Sequence, residues 1–275
     1  MFERMNLSRM ALVAAILALH PVWSVPASAG DATSGVVRAE ILPGWQTESG
    51  TYMAGLHLRL APGWKTYWRA PGDAGIPPRF DWDGSQNMAA VRVYWPTPRV
   101  FQSNGMQTIG YLGDVVLPIE LTPRAAGRPM ELRGRVELGV CHDICMPMSL
   151  DLSERLPAEG RPEPILAALA ARPMSAHEAH VGSVRCSVEP IADGVRLTAE
   201  IDVPTLGRNE AAVFELSDGT VWISEAETAR DGGRLVARSD FVPVSGAPFA
   251  LDRSSVRITL FGAERAVDIE GCAAQ

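Results

Sequence analysis

The sequence has few cysteines, no excess of positive charge and no long apolar run after its N-terminus. Four cysteines in 275 residues are too few for a disulfide framework, so the fold must depend on apolar cores. The formal net charge of -7 argues against a general nucleic-acid or anionic-membrane surface. No Ser-His-Asp order, phosphate-cradling glycine loop or zinc spacing occurs, so hydrolase and kinase signatures are lacking.

The N-terminal segment has the parts of a secretory signal. Arg4 and Arg9 precede an apolar run, Met10–Leu19, and Ala27-Ser28-Ala29 supplies the small residues that a signal peptidase reads. The run covers about ten residues, whereas a bilayer span needs ~20. We therefore predict a signal peptide at residues 1–29, cleaved after Ala29, and a periplasmic mature chain without a membrane span.

Short alternating segments separated by glycine and proline make up most of the remaining chain. In Tyr52–Leu60, for example, leucines alternate with polar residues, which is typical of a half-buried strand. The alternation stops in one proline-rich stretch, where a helix is predicted at Ile165–Arg172. We predict an all-β fold of two antiparallel β-sandwich domains, at residues 30–155 and 181–275, joined by a linker with a short helix at 156–180.

Cys141 and Cys145 flank the three-residue turn His142-Asp143-Ile144 between two predicted strands. A hairpin places such cysteines opposite one another, close enough for a disulfide. A bridge that closes so small a ring constrains the unfolded chain little. An exposed loop tip, however, lets a second thiolate approach along the S–S axis, so thiol-disulfide exchange is the favoured function and Cys141 and Cys145 are its catalytic residues. Which sulfur is attacked stays open, because His142 and Asp143 have opposing effects on a thiolate.

Two other interpretations of this pair remain open. The disulfide is inert in the first, and the ends of the sandwich serve only as docking surfaces. In the second, Cys141 and Cys145 bind Cu(I) with the thioethers of Met146 and Met148, which are soft ligands suited to that ion. Alternating strand positions cannot all point at one ion, which counts against the copper site.

Cys186 and Cys272 are predicted to form a structural disulfide in the second half of the chain. Their bridge would close a long loop, for which the loop-entropy effect is large. The alternative is that one or both thiols are free, with Cys272 on a tail near the C-terminus.

Several motifs together resemble the N-terminal domain of the thiol:disulfide interchange protein DsbD, and more closely the corresponding region of ScsB-type proteins, which are linked to copper tolerance. The resemblance covers about Val36 to Leu152. It is carried by the following segments: Gly63-Trp64-Lys65-Thr66-Tyr67-Trp68-Arg69-Ala70-Pro71-Gly72-Asp73-Ala74-Gly75, Trp95-Pro96-Thr97-Pro98, Gly110-Tyr111, Val116-Leu117-Pro118 and Cys141 to Pro147.

The resemblance implies an immunoglobulin-like sandwich that takes electrons from a membrane-embedded DsbD/CcdA-like donor and passes them to periplasmic thioredoxin-fold acceptors. Cys141 and Cys145 would carry the electrons, and no cofactor is required. A cap loop that shields the cysteines would lie at residues 99–105, with Phe101 as the cap residue. Tyr67, Trp68 and His142 are expected to line the same end, although a core position is equally expected for Tyr67 and Trp68.

Two features of the chain depart from the DsbD pattern. The cysteines are separated by three residues, whereas the interval in the DsbD N-terminal domain is longer. The sequence also contains neither a multi-helix membrane segment nor a C-terminal thioredoxin-like domain. A separate membrane protein is therefore expected to reduce the Cys141–Cys145 disulfide.

Overall fold

The computed structural model describes residues 35–72, 74–103, 106–157, 160, 162–217 and 219–274. The predicted signal peptide lies outside these residues. Among the residues that are described, no helix combines the length and the apolar character that a membrane crossing requires.

The first half of the chain folds into two mainly antiparallel sheets. One sheet has the strand order β1-β2-β8-β5, and the other has the order β10-β9-β3-β7-β6 with β4 also paired to β9. The strands are β1 Val37–Gln46, β2 Tyr52–Leu60, β3 Lys65–Gly72, β4 Arg79–Asp81, β5 Met88–Val93, β6 Arg99–Ser103, β7 Met106–Leu112, β8 Val115–Pro123, β9 Met130–Cys141 and β10 Cys145–Leu156.

The apolar residues that alternate along these strands meet between the two sheets. Leu56 and Leu58 of β2 and Leu138 of β9, for example, belong to one buried cluster. Burial of each such side chain stabilises the folded state by about 1.5–3 kcal/mol relative to leaving it exposed to water. Of the five tryptophans of this half, only Trp68 is buried, and Trp45, Trp64, Trp82 and Trp95 are half-buried.

The single α-helix of the described chain, α1, spans Glu163–Ala170. It starts two residues before the predicted position, because Pro164 is tolerated in a first turn whose N–H groups have no intrahelical partner. Ile165 is fully buried and packs against β2 of the first half. A Cβ at Gly55 would lie only 3.0 Å from Cγ1 of Ile165. The helix therefore covers one face of the β1-β2-β8-β5 sheet.

The second half contains two further sheets around their own buried cluster. One has the order β11-β19-β18-β14, and the other has the order β15-β17-β13-β12-β20 with β16 also paired to β17. The strands are β11 Met174–Ser175, β12 Val184–Pro190, β13 Val195–Asp202, β14 Ala211–Glu215, β15 Val221–Ile223, β16 Glu227–Asp231, β17 Arg234–Pro243, β18 Arg257–Phe261, β19 Ala266–Glu270 and β20 Ala273–Ala274, with a 3-10 turn at Arg253–Ser255 before β18.

These four sheets confirm the predicted all-β, immunoglobulin-like class. The strands β9 and β10, each 12 residues long, form the longest hairpin of the described chain. The ladder between them continues up to the cysteines themselves, since Cys141 is paired with Cys145. The two cysteines therefore lie at the tip of a long, paired hairpin rather than on a loose loop.

Candidate functional site

Cys141 ends β9 and Cys145 begins β10, and the two residues are direct partners in the ladder. Their Cα atoms are 4.1 Å apart, and a disulfide joins them. The amide of His142 donates to the carbonyl of Ile144 at 3.3 Å and closes the intervening turn. The strands thus hold both sulfurs at one edge of the sandwich.

The two cysteine residues differ sharply in their exposure to solvent. Cys141 is only 1% exposed, whereas Cys145 belongs to an exposed run with the turn residues. Ile144 at the turn is 72% exposed, so little covers this side of the disulfide. A thiolate from another molecule can therefore approach Cys145, while Cys141 is protected.

Tyr67 of β3 lies directly on the disulfide. Its Oη is 2.7 Å from Sγ of Cys141 and 3.2 Å from Sγ of Cys145. Burial raises the pKa of the Tyr67 phenol, so the group stays protonated at neutral pH. Because disulfide sulfurs carry no hydrogen, the phenol is the donor in both contacts. The same O–H is placed to stabilise a thiolate on Cys141 when the bridge opens.

Gly139 of β9 provides the space that the Tyr67 ring occupies. A Cβ at position 139 would lie 3.0 Å from Cδ2 and Cε2 of Tyr67 and 2.7 Å from Cβ of Ile76. On its other side the ring approaches Gly75, where a Cβ would lie 2.8 Å from Cδ1. The sequence contained a signal for this packing, since an isolated glycine inside a strand often marks a close approach.

We expect Gly139→Ala to lower the free energy of unfolding by about 1–3 kcal/mol, because the added methyl group must displace Tyr67 or Ile76. Denaturant unfolding measures this change. Gly35→Ala is the control, since nothing lies within 4 Å of a Cβ at that position. Equal stability of the two variants would contradict the packing of Tyr67 on Gly139.

His142 lies at the turn between the two cysteines. Its Nδ1 is 2.9 Å from Oδ2 of Asp143, and its ring packs against Trp64 with centroids 5.8 Å apart. A Cβ at Gly63 would lie 2.9 Å from its Nε2. The imidazole is therefore held over the Gly63-Trp64 turn by Trp64 and Asp143.

Phe101, the predicted cap residue, lies on β6 opposite Thr108 of β7. The Nζ of Lys65 is 5.1 Å from the centroid of its ring, and Lys65 itself is the ladder partner of Cys141. Lys65 therefore links the strand of Phe101 to the strand of the buried cysteine. Residues 104 and 105 of the predicted cap loop lie outside the described residues, and the cap role stays a prediction.

Trp68 occupies a different place from its neighbour Tyr67. Successive side chains of a strand point to opposite faces, and Trp68 accordingly belongs to the core between the sheets, where it is fully buried. Its ring meets Phe261 of β18 edge-on at 5.6 Å. Of the two aromatic residues, only Tyr67 has a contact with the sulfurs.

The copper interpretation requires Met146 and Met148 to share one ion with the sulfurs. In the hairpin, Met146 pairs with Val140 and Met148 pairs with Leu138, whereas Cys145 pairs with Cys141. Both thioethers therefore lie on the core face of the sheet and pack on the apolar cluster. The described residues also contain no group of three or more His, Cys, Asp or Glu side chains that could hold a metal ion.

The second cysteine pair lies in the second half of the chain. A disulfide joins Cys186 of β12, which is fully buried, to Cys272 beside β20, with the Cα atoms 5.7 Å apart. β20 pairs with β12 in parallel. The bridge therefore ties the end of the chain to a core strand of the second half.

The immunoglobulin-like sandwich of the first half carries the Cys141–Cys145 disulfide at the tip of the hairpin β9–β10. Residues 38–157 match the sequence model of the family described as thiol:disulfide interchange protein DsbD, N-terminal. This part of the chain is therefore a DsbD N-terminal-like domain, and the predicted resemblance is confirmed there.

A solved structure extends the match to the second half. The N-terminal periplasmic domain of ScsB from Proteus mirabilis superposes with a TM-score of 0.64, covering 87% of this chain and 92% of that chain at 22% identity. At this identity the match shows a shared fold. No curated protein gave a match.

Proposed function

We propose that the protein is a periplasmic electron carrier that cycles Cys141 and Cys145 between a disulfide and a dithiol. The observation that carries this proposal is the asymmetry of the bridge, with Cys145 exposed at a hairpin tip and Cys141 buried under Tyr67. An inert bridge needs neither an accessible sulfur nor a buried hydrogen-bond donor. The asymmetry suits a sulfur that reacts with partners and a second sulfur that resolves.

Reduction of the carrier begins when a donor thiolate attacks Sγ of Cys145. The S–S bond breaks, and its electron pair leaves on Cys141, where the Tyr67 hydroxyl donates a hydrogen bond to the new thiolate. The second thiolate of the donor then attacks the mixed disulfide and releases Cys145. The donor becomes oxidised, and the carrier holds two electrons as a dithiol.

Oxidation of the carrier by an acceptor uses the same two sulfurs in the reverse direction. The Cys145 thiolate attacks a disulfide of the acceptor, and one acceptor sulfur leaves as a thiolate. Cys141 then attacks Sγ of Cys145, so that the acceptor is released as a dithiol and the Cys141–Cys145 bridge forms again. No cofactor takes part in this scheme.

The proposed partners are a membrane-embedded DsbD/CcdA-like donor and a periplasmic thioredoxin-fold acceptor. The DsbD N-terminal family match supports this route, and the similar ScsB domain is itself described as periplasmic. We also propose that residues 30–155 form the redox unit, that 156–180 form the linker, and that 181–275 form a second unit. Export through a signal peptide at residues 1–29 is part of the same proposal.

We expect the Cys141–Cys145 couple to have a reduction potential of roughly -180 to -270 mV, in the range of redox carriers. Equilibration of the mature protein with glutathione or dithiothreitol, followed by thiol trapping and mass spectrometry, measures it separately from Cys186–Cys272. A potential well below about -300 mV would mark a structural bridge and overturn the proposal. The Cys186–Cys272 bridge serves as the internal reference, since it is expected to stay oxidised throughout.

A further inference from the structure

The strand β3 connects the disulfide to the second half of the chain through three consecutive residues. Tyr67 contacts both sulfurs, and Trp68 enters the core. Arg69 reaches out of the first half, where its Nε and Nη2 donate to the two carboxylate oxygens of Glu215 at 2.9 Å each. Glu215 ends β14, so this bidentate ion pair joins residues that lie 146 positions apart.

The Arg69 ion pair is enclosed rather than solvated. The side chains of Arg69 and Glu215 are only 15% and 16% exposed. The guanidinium also lies 4.0 Å from the Trp68 ring centroid, and its Nη2 donates to Oγ1 of Thr259 at 3.3 Å. The same Nη2 also lies 3.8 Å from Oδ2 of Asp268, but only Glu215 binds the guanidinium through two hydrogen bonds. The bidentate pair fixes the orientation of Arg69, because two parallel hydrogen bonds define the plane of the guanidinium.

The backbone of β3 needs this support just after Tyr67. Tyr67 pairs with Gly110 of β7, but the next paired residue on β3 is Gly72, which is opposite Thr108. The intervening residues bulge out of the ladder, so regular strand pairing with β7 does not fix them. Their position is set instead by the contacts of Trp68 with Phe261 and of Arg69 with Glu215.

We propose that Arg69 is a positioning residue through which the second half of the chain sets the reduction potential of the Cys141–Cys145 couple. Glu215 holds Arg69, Arg69 holds the bulged part of β3, and the bulge holds Tyr67 on the sulfurs. A hydrogen bond to a thiolate is stronger than one to a disulfide sulfur. The Tyr67 contact therefore favours the reduced form, and its loss favours the bridge. This inference deepens the proposed function and rests on it.

The test uses Glu215→Gln in the full mature chain, because this change keeps the shape of the side chain and removes its charge. We expect the equilibrium constant for reduction of Cys141–Cys145 by glutathione to fall by about threefold to tenfold, where tenfold corresponds to about 30 mV. Arg69→Lys should shift the constant in the same direction, because an ammonium cannot reproduce the bidentate contact.

The matched control is Glu210→Gln. Glu210 forms a comparable bidentate pair with Arg230, with side chains 10% and 22% exposed, but this pair lies wholly within the second half. We expect Glu210→Gln to lower the free energy of unfolding without changing the glutathione equilibrium. A purely structural role of Glu215 would give the same pattern for both variants, and would overturn the inference.

A double-mutant cycle identifies the route of the effect. Tyr67→Phe alone should lower the equilibrium constant, and adding Glu215→Gln to it should have no further effect, because the hydrogen bond is already absent. A direct electrostatic effect of Arg69, no longer neutralised by Glu215, would stabilise the thiolate and raise the equilibrium constant instead. An increase, or an unchanged effect in the Tyr67→Phe background, would contradict the proposed route through Tyr67.

These measurements do not require that a protein partner exchanges disulfides with Cys141 and Cys145. The glutathione equilibrium reports on the couple whether or not a protein partner uses it. Failure of the proposed function would appear as a potential far below the carrier range in the unmodified protein. Failure of this inference would appear as equal potentials for the unmodified protein and Glu215→Gln.

Discussion

Cys145→Ser is expected to abolish thiol-disulfide exchange, while Cys141→Ser is expected to leave the protein joined to its partner. Cys145 is the sulfur that another molecule can reach, so its loss removes the point of attack. With Cys141 replaced, the reduced protein still attacks an acceptor disulfide through Cys145. The mixed disulfide then lacks its resolving sulfur and accumulates.

Mass spectrometry after reaction with a thioredoxin-fold acceptor distinguishes these two variants. Only Cys141→Ser should yield a covalent complex, and its linkage should map to Cys145. The double variant Cys186→Ser/Cys272→Ser is the control, and should exchange like the unmodified protein at a temperature at which it stays folded. A complex that maps to Cys141 would show that the buried sulfur is the point of attack, against the proposed mechanism.

Replacing Cys186 and Cys272 with alanine is expected to lower the free energy of unfolding by about 4–5 kcal/mol. The residues are separated by 86 positions, and the loop-entropy effect of a bridge grows with the logarithm of loop length. The same substitution at Cys141 and Cys145, which are separated by only 4 positions, should lower the free energy of unfolding by about 2 kcal/mol.

Denaturant unfolding of the two double variants, with the unmodified protein as reference, measures this difference. The bridge that stabilises the fold most is thus expected to be the one that takes no part in exchange. A larger loss of stability at Cys141 and Cys145 than at Cys186 and Cys272 would contradict this division of roles. It would also favour the interpretation of the hairpin disulfide as an inert structural bridge.

The cysteine hairpin is predictable from the sequence, whereas the packing of Tyr67 over Gly139 is not. The hairpin with Cys141 and Cys145 at its tip follows from local patterns, namely alternation on both sides of a three-residue turn. The same alternation explains why Met146 and Met148 face the core, since they occupy strand positions between outward residues. The position of Gly139 under Tyr67, by contrast, requires the pairing of β9 with β3.

The all-β class, the DsbD-like resemblance and the hairpin cysteines follow from the amino-acid sequence, because period-two alternation, turn residues and short motifs involve only neighbouring positions. The burial of Cys141 and exposure of Cys145, the contact of Tyr67 rather than Trp68 with the sulfurs, and the ion pair of Arg69 with Glu215 are visible only in the folded chain. These features depend on sheet register and on the packing of the two halves. Such contacts join residues too far apart in the chain for any local pattern to specify them.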